Sequence, residues 1–180
     1  EIRFKSGAFD IQGWILKPPG FRSGKKYPCI MEVHGGPMTQ YGESWFHEMQ
    51  LLAAQGYVVA YCNPRGSSGR GMKFCNWIEG NWGKDDWKDI QSFADHLEKL
   101  PFVDPSRMAI LGGSYGGFMV LAQVTHFPEL WAAGIDVVGI ANFVTFLERT
   151  GAYRRAHREA EYGNLRDHKE FLEKISPINH

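Results

Sequence analysis

The stretch "LGGSYGGFMV", Leu111–Val120, sets one serine among four glycines, with an apolar run on each side. A serine hydroxyl is a poor nucleophile unless the backbone presents it, a base takes its proton and donors stabilise the resulting oxyanion. Gly112-Gly113-Ser114-Tyr115-Gly116 fits G-x-S-x-G, in which small residues let a strand turn sharply into a helix and hold the serine strained and outward-facing. The N-terminus of the following helix aims free N–H groups at the same place. The pattern by itself also describes a glycine-rich turn without chemistry, or a phosphate cradle. The cradle lacks a Walker Lys-Ser/Thr pair and the G-x-G-x-x-G spacing, so nucleophilic attack by Ser114 is the chemistry expected.

An oxyanion hole has a candidate in "HGGP", His34–Pro37, which follows the apolar run Ile30–Val33. In sheets of this kind, the loop after that strand supplies one N–H and the residue after the nucleophile supplies the other. The backbone N–H groups of Gly36 and Tyr115 are therefore assigned to the hole; the competing reading of "HGGP" is an ordinary turn ending a strand. The base is harder to find. Of seven histidines, only His34 is expected near Ser114, and its loop position suits a structural or electrophilic role. His47 and His96 fall in amphipathic helices, His126 closes the helix after Ser114, His157 and His168 belong to polar helices, and His180 is last. "HREAE" at His157 lacks the second histidine of H-E-x-x-H, so no metal is expected, and no cofactor motif is present. Arg65 in "NPRGSSGRG" has two readings, contact with substrate charge or pairing with an acid to pin its loop. Asp85, Asp86 and Asp89 read as a solvated helix face, Arg154, Arg155 and Arg158 as a solvated cluster, and Trp77, Trp82 and Trp87 as core and loop packing.

The elements around these residues alternate. "EIRFKS" and "IQGWILK" read as an antiparallel hairpin turning at Gly7, while "YPCIMEVH" and "YVVAYCN" read as strands covered on both faces, and "RMAILGG" and "WAAGIDVVG" as further strands. Helices are expected at "WFHEMQLLAAQG", at "KDDWKDIQSFADHLEKL" and at "GFMVLAQVTHF", and again after Gly139. The class is α/β with a mainly parallel sheet and a hairpin at one edge. At 180 residues, 43% of them hydrophobic, one domain is expected. Lys+Arg and Asp+Glu each number 20, which does not point to a nucleic-acid partner. No apolar run approaches the roughly 18 residues that span a bilayer, and "EIRFKSGAFD" has no signal-peptide character. Cys29, Cys62 and Cys75 have no C-x-x-C spacing and read as free thiols of a reducing, cytoplasmic protein.

The ordered segments "WILKPPGF", "YPCIMEVHGGP", "LLAAQGYVVAYCNPRGSSGRG", "NWGKDDWKDI", "DPSRMAILGGSYGGFMV" and "EFLEKISPINH" resemble the catalytic domain of the prolyl oligopeptidase family of serine peptidases, in particular its acylaminoacyl-peptidase and dipeptidyl-peptidase-like members. The resemblance implies an α/β-hydrolase fold and hydrolysis of short or N-terminally blocked peptides, without a cofactor. It places His34 where other members carry a tyrosine, and it maps an apolar P1 pocket onto Ile140, Phe143 and Phe146, with Tyr115 beside them. It also implies that the orienting Asp and the base His follow on two further strands. Residues 1–180 are therefore expected to be a partial catalytic domain, without the last strands and without the propeller that usually precedes it. Two alternatives stay open: a carboxylesterase, since the same elbow and loop serve esters, and a non-catalytic module that self-associates through the sheet edge at "WAAGIDVVG".

Overall fold

Apolar and polar residues alternate along β1 (Ile2–Ser6) and β2 (Phe9–Leu16), and the two strands pair antiparallel around the Gly7 turn. The computed structural model describes all 180 residues. Four further strands follow: β3 (Tyr27–Val33), β4 (Val58–Asn63), β5 (Val103–Gly113) and β6 (Ala133–Val137). They complete a six-stranded sheet in the order β1-β2-β4-β3-β5-β6, parallel from β4 to β6 and joined to the hairpin by the antiparallel β2–β4 pair. The expected class holds.

Every residue of β4 is buried because both faces of the sheet are covered. Val58, Ala60 and Cys62 join the larger core, beneath α3 (Asp86–Glu98) and α4 (Tyr115–His126), whereas Val59 and Tyr61 join a smaller one with Trp14, Tyr41 and Met49 of α1 (His47–Ala54). A short α2 (Met72–Cys75) lies between β4 and α3, and α5 (Phe143–Arg149), α6 (Ala152–Tyr162) and α7 (Leu165–Lys174) follow β6. No helix is long and apolar enough to cross a membrane.

The first turn of α3 departs from expectation. Asp85 is partly exposed, but Asp86 and Asp89 are completely buried, so the solvated acidic face read from the sequence is corrected. They lie on the stripe that continues through Ile90, Phe93 and Leu97, all of them buried against the sheet.

Candidate active site

Register builds the site. Parallel β3 and β5 pair Val33 with Gly112, so both chains leave the sheet side by side, one toward Gly35 and the other toward Ser114. A β-carbon on Gly35 would stand 3.0 Å from the Gly113 carbonyl oxygen and 3.4 Å from Ser114 Cβ. On the other flank, β5 pairs Gly113 with Val137, and the Ser114 N–H donates to the Val137 carbonyl at 2.9 Å. Ser114 is thus brought together with the "HGGP" loop and held against the end of β6.

The backbone at Ser114 has φ 57° and ψ −115°, a region that non-glycine residues rarely enter. Ser114 is exposed, while Tyr115 and Gly116 behind it are buried. Gly116 must be glycine, because a β-carbon there would collide with the Val33 carbonyl and with that of His34. Val138, just past β6, is the other non-glycine residue with positive φ, at 54°, and is 82% exposed. For a β-branched side chain this is strain beside the serine, and no residue pattern announced it.

The N–H groups of Gly36 and Tyr115 make no backbone hydrogen bond outside the helices and strands, and Tyr115 opens α4, whose first N–H groups have no helical acceptor. The Tyr115 side chain, expected beside a P1 pocket, points into the core instead. Its phenol donates to Asp86 Oδ2 at 3.1 Å, and its ring meets Trp82 edge-on with centroids 4.8 Å apart.

His34 is buried, and both ring nitrogens are occupied: Nε2 lies 2.9 Å from Ser67 Oγ, and Nδ1 lies 3.0 Å from both the Gly35 carbonyl and Thr39 Oγ1. Burial pushes its pKa below the ordinary histidine value, against the raising effect of the Gly35 carbonyl. It therefore pins the loop, the structural one of the two roles its position suggested.

Arg65 is likewise held by its neighbours. Its backbone N–H donates to Asp89 Oδ2 at 2.7 Å and its Nη2 to Asp89 Oδ1 at 2.7 Å, while Nε lies 3.0 Å from Oδ2. The guanidinium is sandwiched between Phe9 and Trp77, 4.8 and 4.6 Å from their ring centroids. Of the two readings, pairing with an acid describes Arg65.

The three residues mapped onto a P1 pocket fall into two settings. Phe143 is fully buried, edge-on to Phe118 and Tyr162 at 5.2 Å each. Ile140 and Phe146 line a wide open depression with Asn142 and Arg149. The cavity that does include Gly36 is about 200 Å³, lined by Met38, Ile78 and Trp82 on its apolar side and by Glu79, Arg158 and Glu161 on its charged side. Trp82, read from the sequence as packing, both packs and lines this cavity. Arg158, read as solvated, pairs with Glu161 at 3.3 Å. No cluster of side chains suited to hold a metal ion is present.

The peptidase YuxL of Bacillus subtilis is 39% identical over 140 residues, which cover 76% of this chain and 21% of YuxL. Dipeptidyl-peptidase 5 of Porphyromonas gingivalis is 37% identical over 131 residues, 72% of this chain and 19% of that one. An acylaminoacyl peptidase solved with Z-Gly-Gly-Phe-chloromethyl ketone superimposes with a TM-score of 0.90 at 34% identity, over 99% of this chain and 29% of its own. This chain thus spans about a fifth of its curated relatives' length, and its sheet and helices have the α/β-hydrolase arrangement. The Prolyl oligopeptidase family matches residues 43–180, and with the elbow at Ser114, the adjoining glycine loop and this extent of likeness, the chain belongs to that family.

Proposed function

We propose that this chain is the nucleophile-bearing part of a serine peptidase that hydrolyses short or N-acylated peptides through an acyl-enzyme on Ser114. The observation that carries this reading is the left-handed backbone of Ser114, exposed between β5 and α4 with the Gly35–Gly36 loop beside it. In the mechanism, Ser114 Oγ forms a bond to the scissile carbonyl carbon as its proton passes to a base. The carbonyl oxygen becomes an oxyanion, stabilised by the N–H groups of Gly36 and Tyr115 and by the N-terminal dipole of α4. Collapse breaks the C–N bond, and the amine leaves with the proton returned by the base. Water, deprotonated by the same base, then releases the acid and restores Ser114.

We assign the base and its orienting acid to polypeptide outside residues 1–180. Support comes from His34, whose ring nitrogens are spent on its own loop and on Ser67. Family membership and the likeness to an acylaminoacyl peptidase favour peptide over ester substrates. The free thiols Cys29 and Cys62, both buried, and Cys75 fit a reducing compartment such as the cytoplasm.

The test is mass analysis after a fluorophosphonate probe, on the longest native polypeptide containing this chain, on its Ser114→Ala form and on residues 1–180 alone. Labelling of the long wild-type form only is the expected result. Labelling that survives Ser114→Ala would sink the nucleophile assignment, and labelling of residues 1–180 alone would sink the external base. Turnover of p-nitrophenyl esters without turnover of peptide anilides would turn the reading to a carboxylesterase.

A further inference from the structure

Asp86 and Asp89 have no part in the chemistry above, yet both are withdrawn completely from water. Burying a carboxylate costs several kcal/mol unless partners offset it, so the partners indicate what the burial serves. Asp86 accepts from the Tyr115 phenol at 3.1 Å, from the Gly83 N–H at 3.2 Å and from the Trp87 N–H at 3.1 Å. Asp89 takes Arg65 through both its backbone N–H and its guanidinium. Beyond Arg65 the same loop reaches Ser67, whose hydroxyl meets His34 Nε2 at 2.9 Å, and His34 leads directly into Gly35 and Gly36.

Two polar paths therefore start on one turn of α3 and end at the two backbone donors assigned to the oxyanion hole. Resting on that assignment, we infer that Asp86 and Asp89 are positioning residues: the first turn of α3 sets the spacing of the two donors, Asp86 through the Tyr115 phenol and Asp89 through Arg65, Ser67 and His34. The hole works only if both N–H groups stand about 2.7–3.1 Å from the site of the developing charge. A misplacement of about 1 Å costs on the order of a hundredfold in rate. Tyr115 directly follows the strained Ser114 and opens α4, so a clamp on the Tyr115 ring fixes its N–H as well. On the facing loop, the His34–Ser67 bond does the same for Gly36.

A merely structural role for the two acids predicts a loss of folded protein, with the surviving fraction fully active. A positioning role predicts intact protein with a defect confined to the chemical step. The experiment measures kcat and KM on acetyl-phenylalanyl p-nitroanilide, and the fluorophosphonate labelling rate, in the longest native polypeptide containing this chain. Tyr115→Phe and Ser67→Ala each remove one hydroxyl and break one path with little threat to folding. Each is expected to lower kcat and the labelling rate about tenfold or more, with KM changed by less than about threefold. Asp86→Ala should lose as much or more, and Asp86→Asn, which keeps a carbonyl acceptor for the phenol, should recover most of it. Wild-type kcat in both Tyr115→Phe and Ser67→Ala overturns the inference, whether or not Asp86→Ala folds. So does a loss expressed equally in KM. Ser114→Ala separates the two claims: if it is inactive while those variants stay fully active, only the positioning role fails. If it still turns over or labels, or if the wild type does neither, the nucleophile assignment fails and the inference falls with it.

Discussion

Arg65 and Asp89 form a buried ion pair in which one carboxylate, Asp89, accepts the backbone N–H of Arg65 as well as its guanidinium, with the shortest contacts at 2.7 Å. The pair fastens the loop after β4 to α3, and aromatic rings on the guanidinium faces exclude water from it. Asp89→Ala leaves a buried guanidinium and an unanswered N–H. Breaking such a pair costs about 3–5 kcal/mol, and chemical denaturation should show a loss of this size. A loss below about 1 kcal/mol would mean that water reaches Arg65 in the folded state.

Asp86 gives stability a pH dependence of a definite sign. Burial pushes its carboxyl up from 3.8 to about 7, against the lowering effect of the Gly83 and Trp87 N–H groups and the Tyr115 phenol, with Asp89 adding to the rise. Arg65, the nearby cation, is engaged by Asp89. Between pH 3.8 and about 7 the folded state holds a proton that the unfolded state has released. Stability from this group therefore falls as pH rises through that window, by at most about 1.4 kcal/mol per pH unit. Asp86→Asn removes the slope. The difference in unfolding free energy between Asp86→Asn and wild type should grow in the variant's favour from pH 4 to pH 7, and a flat difference would contradict a raised Asp86.

Gly116 lies where the helix after the serine touches the end of β3. Gly116→Ala places a methyl group on the Val33 carbonyl, which neither backbone can yield without moving the elbow. Overpacking of this kind costs about 1–3 kcal/mol. Fluorophosphonate labelling of Ser114 should fall further than stability does, and an alanine variant labelled at the wild-type rate would show that α4 can shift away without disturbing the serine.

Strand β6 is the outer strand of the sheet, and all of its residues are exposed, with Ile135 and Val137 about half exposed. An open apolar edge pairs with other strands. Residues 1–180 expressed alone should self-associate, as read by light scattering after size exclusion. Val137→Lys should return the population toward monomer. A monomeric wild-type chain at high concentration would show that the edge is not adhesive.

Legibility divides along a clear physical line. Ser114, its turn and its strand–helix setting were readable because glycine spacing and apolar runs are local properties of the chain. The strands and the antiparallel hairpin were readable for the same reason. Asp86 and Asp89 were misread although a signal existed: their spacing with Ile90, Phe93 and Leu97 places them on the buried stripe of α3. Acidic residues in a first helical turn are so often solvated that the charge outweighed the period. The residues mapped onto a P1 pocket depend on long-range packing. Phe143 belongs to a cluster with Phe118, Trp82 and Tyr162, drawn from distant parts of the chain, and nothing local indicates which aromatic of that set faces a cavity.

By itself, the sequence determined the α/β class, the family and the residue presented at the end of β5, since these depend on patterns within single segments. Only the tertiary structure decided which polar groups meet. The β3–β5 and β5–β6 registers put Gly35 and Val138 beside Ser114, and the packing of α3 beneath the sheet turned Asp86 to Tyr115 and Asp89 to Arg65. Burial makes such pairings selective, because a charge removed from water is tolerated only where a partner from another element already waits.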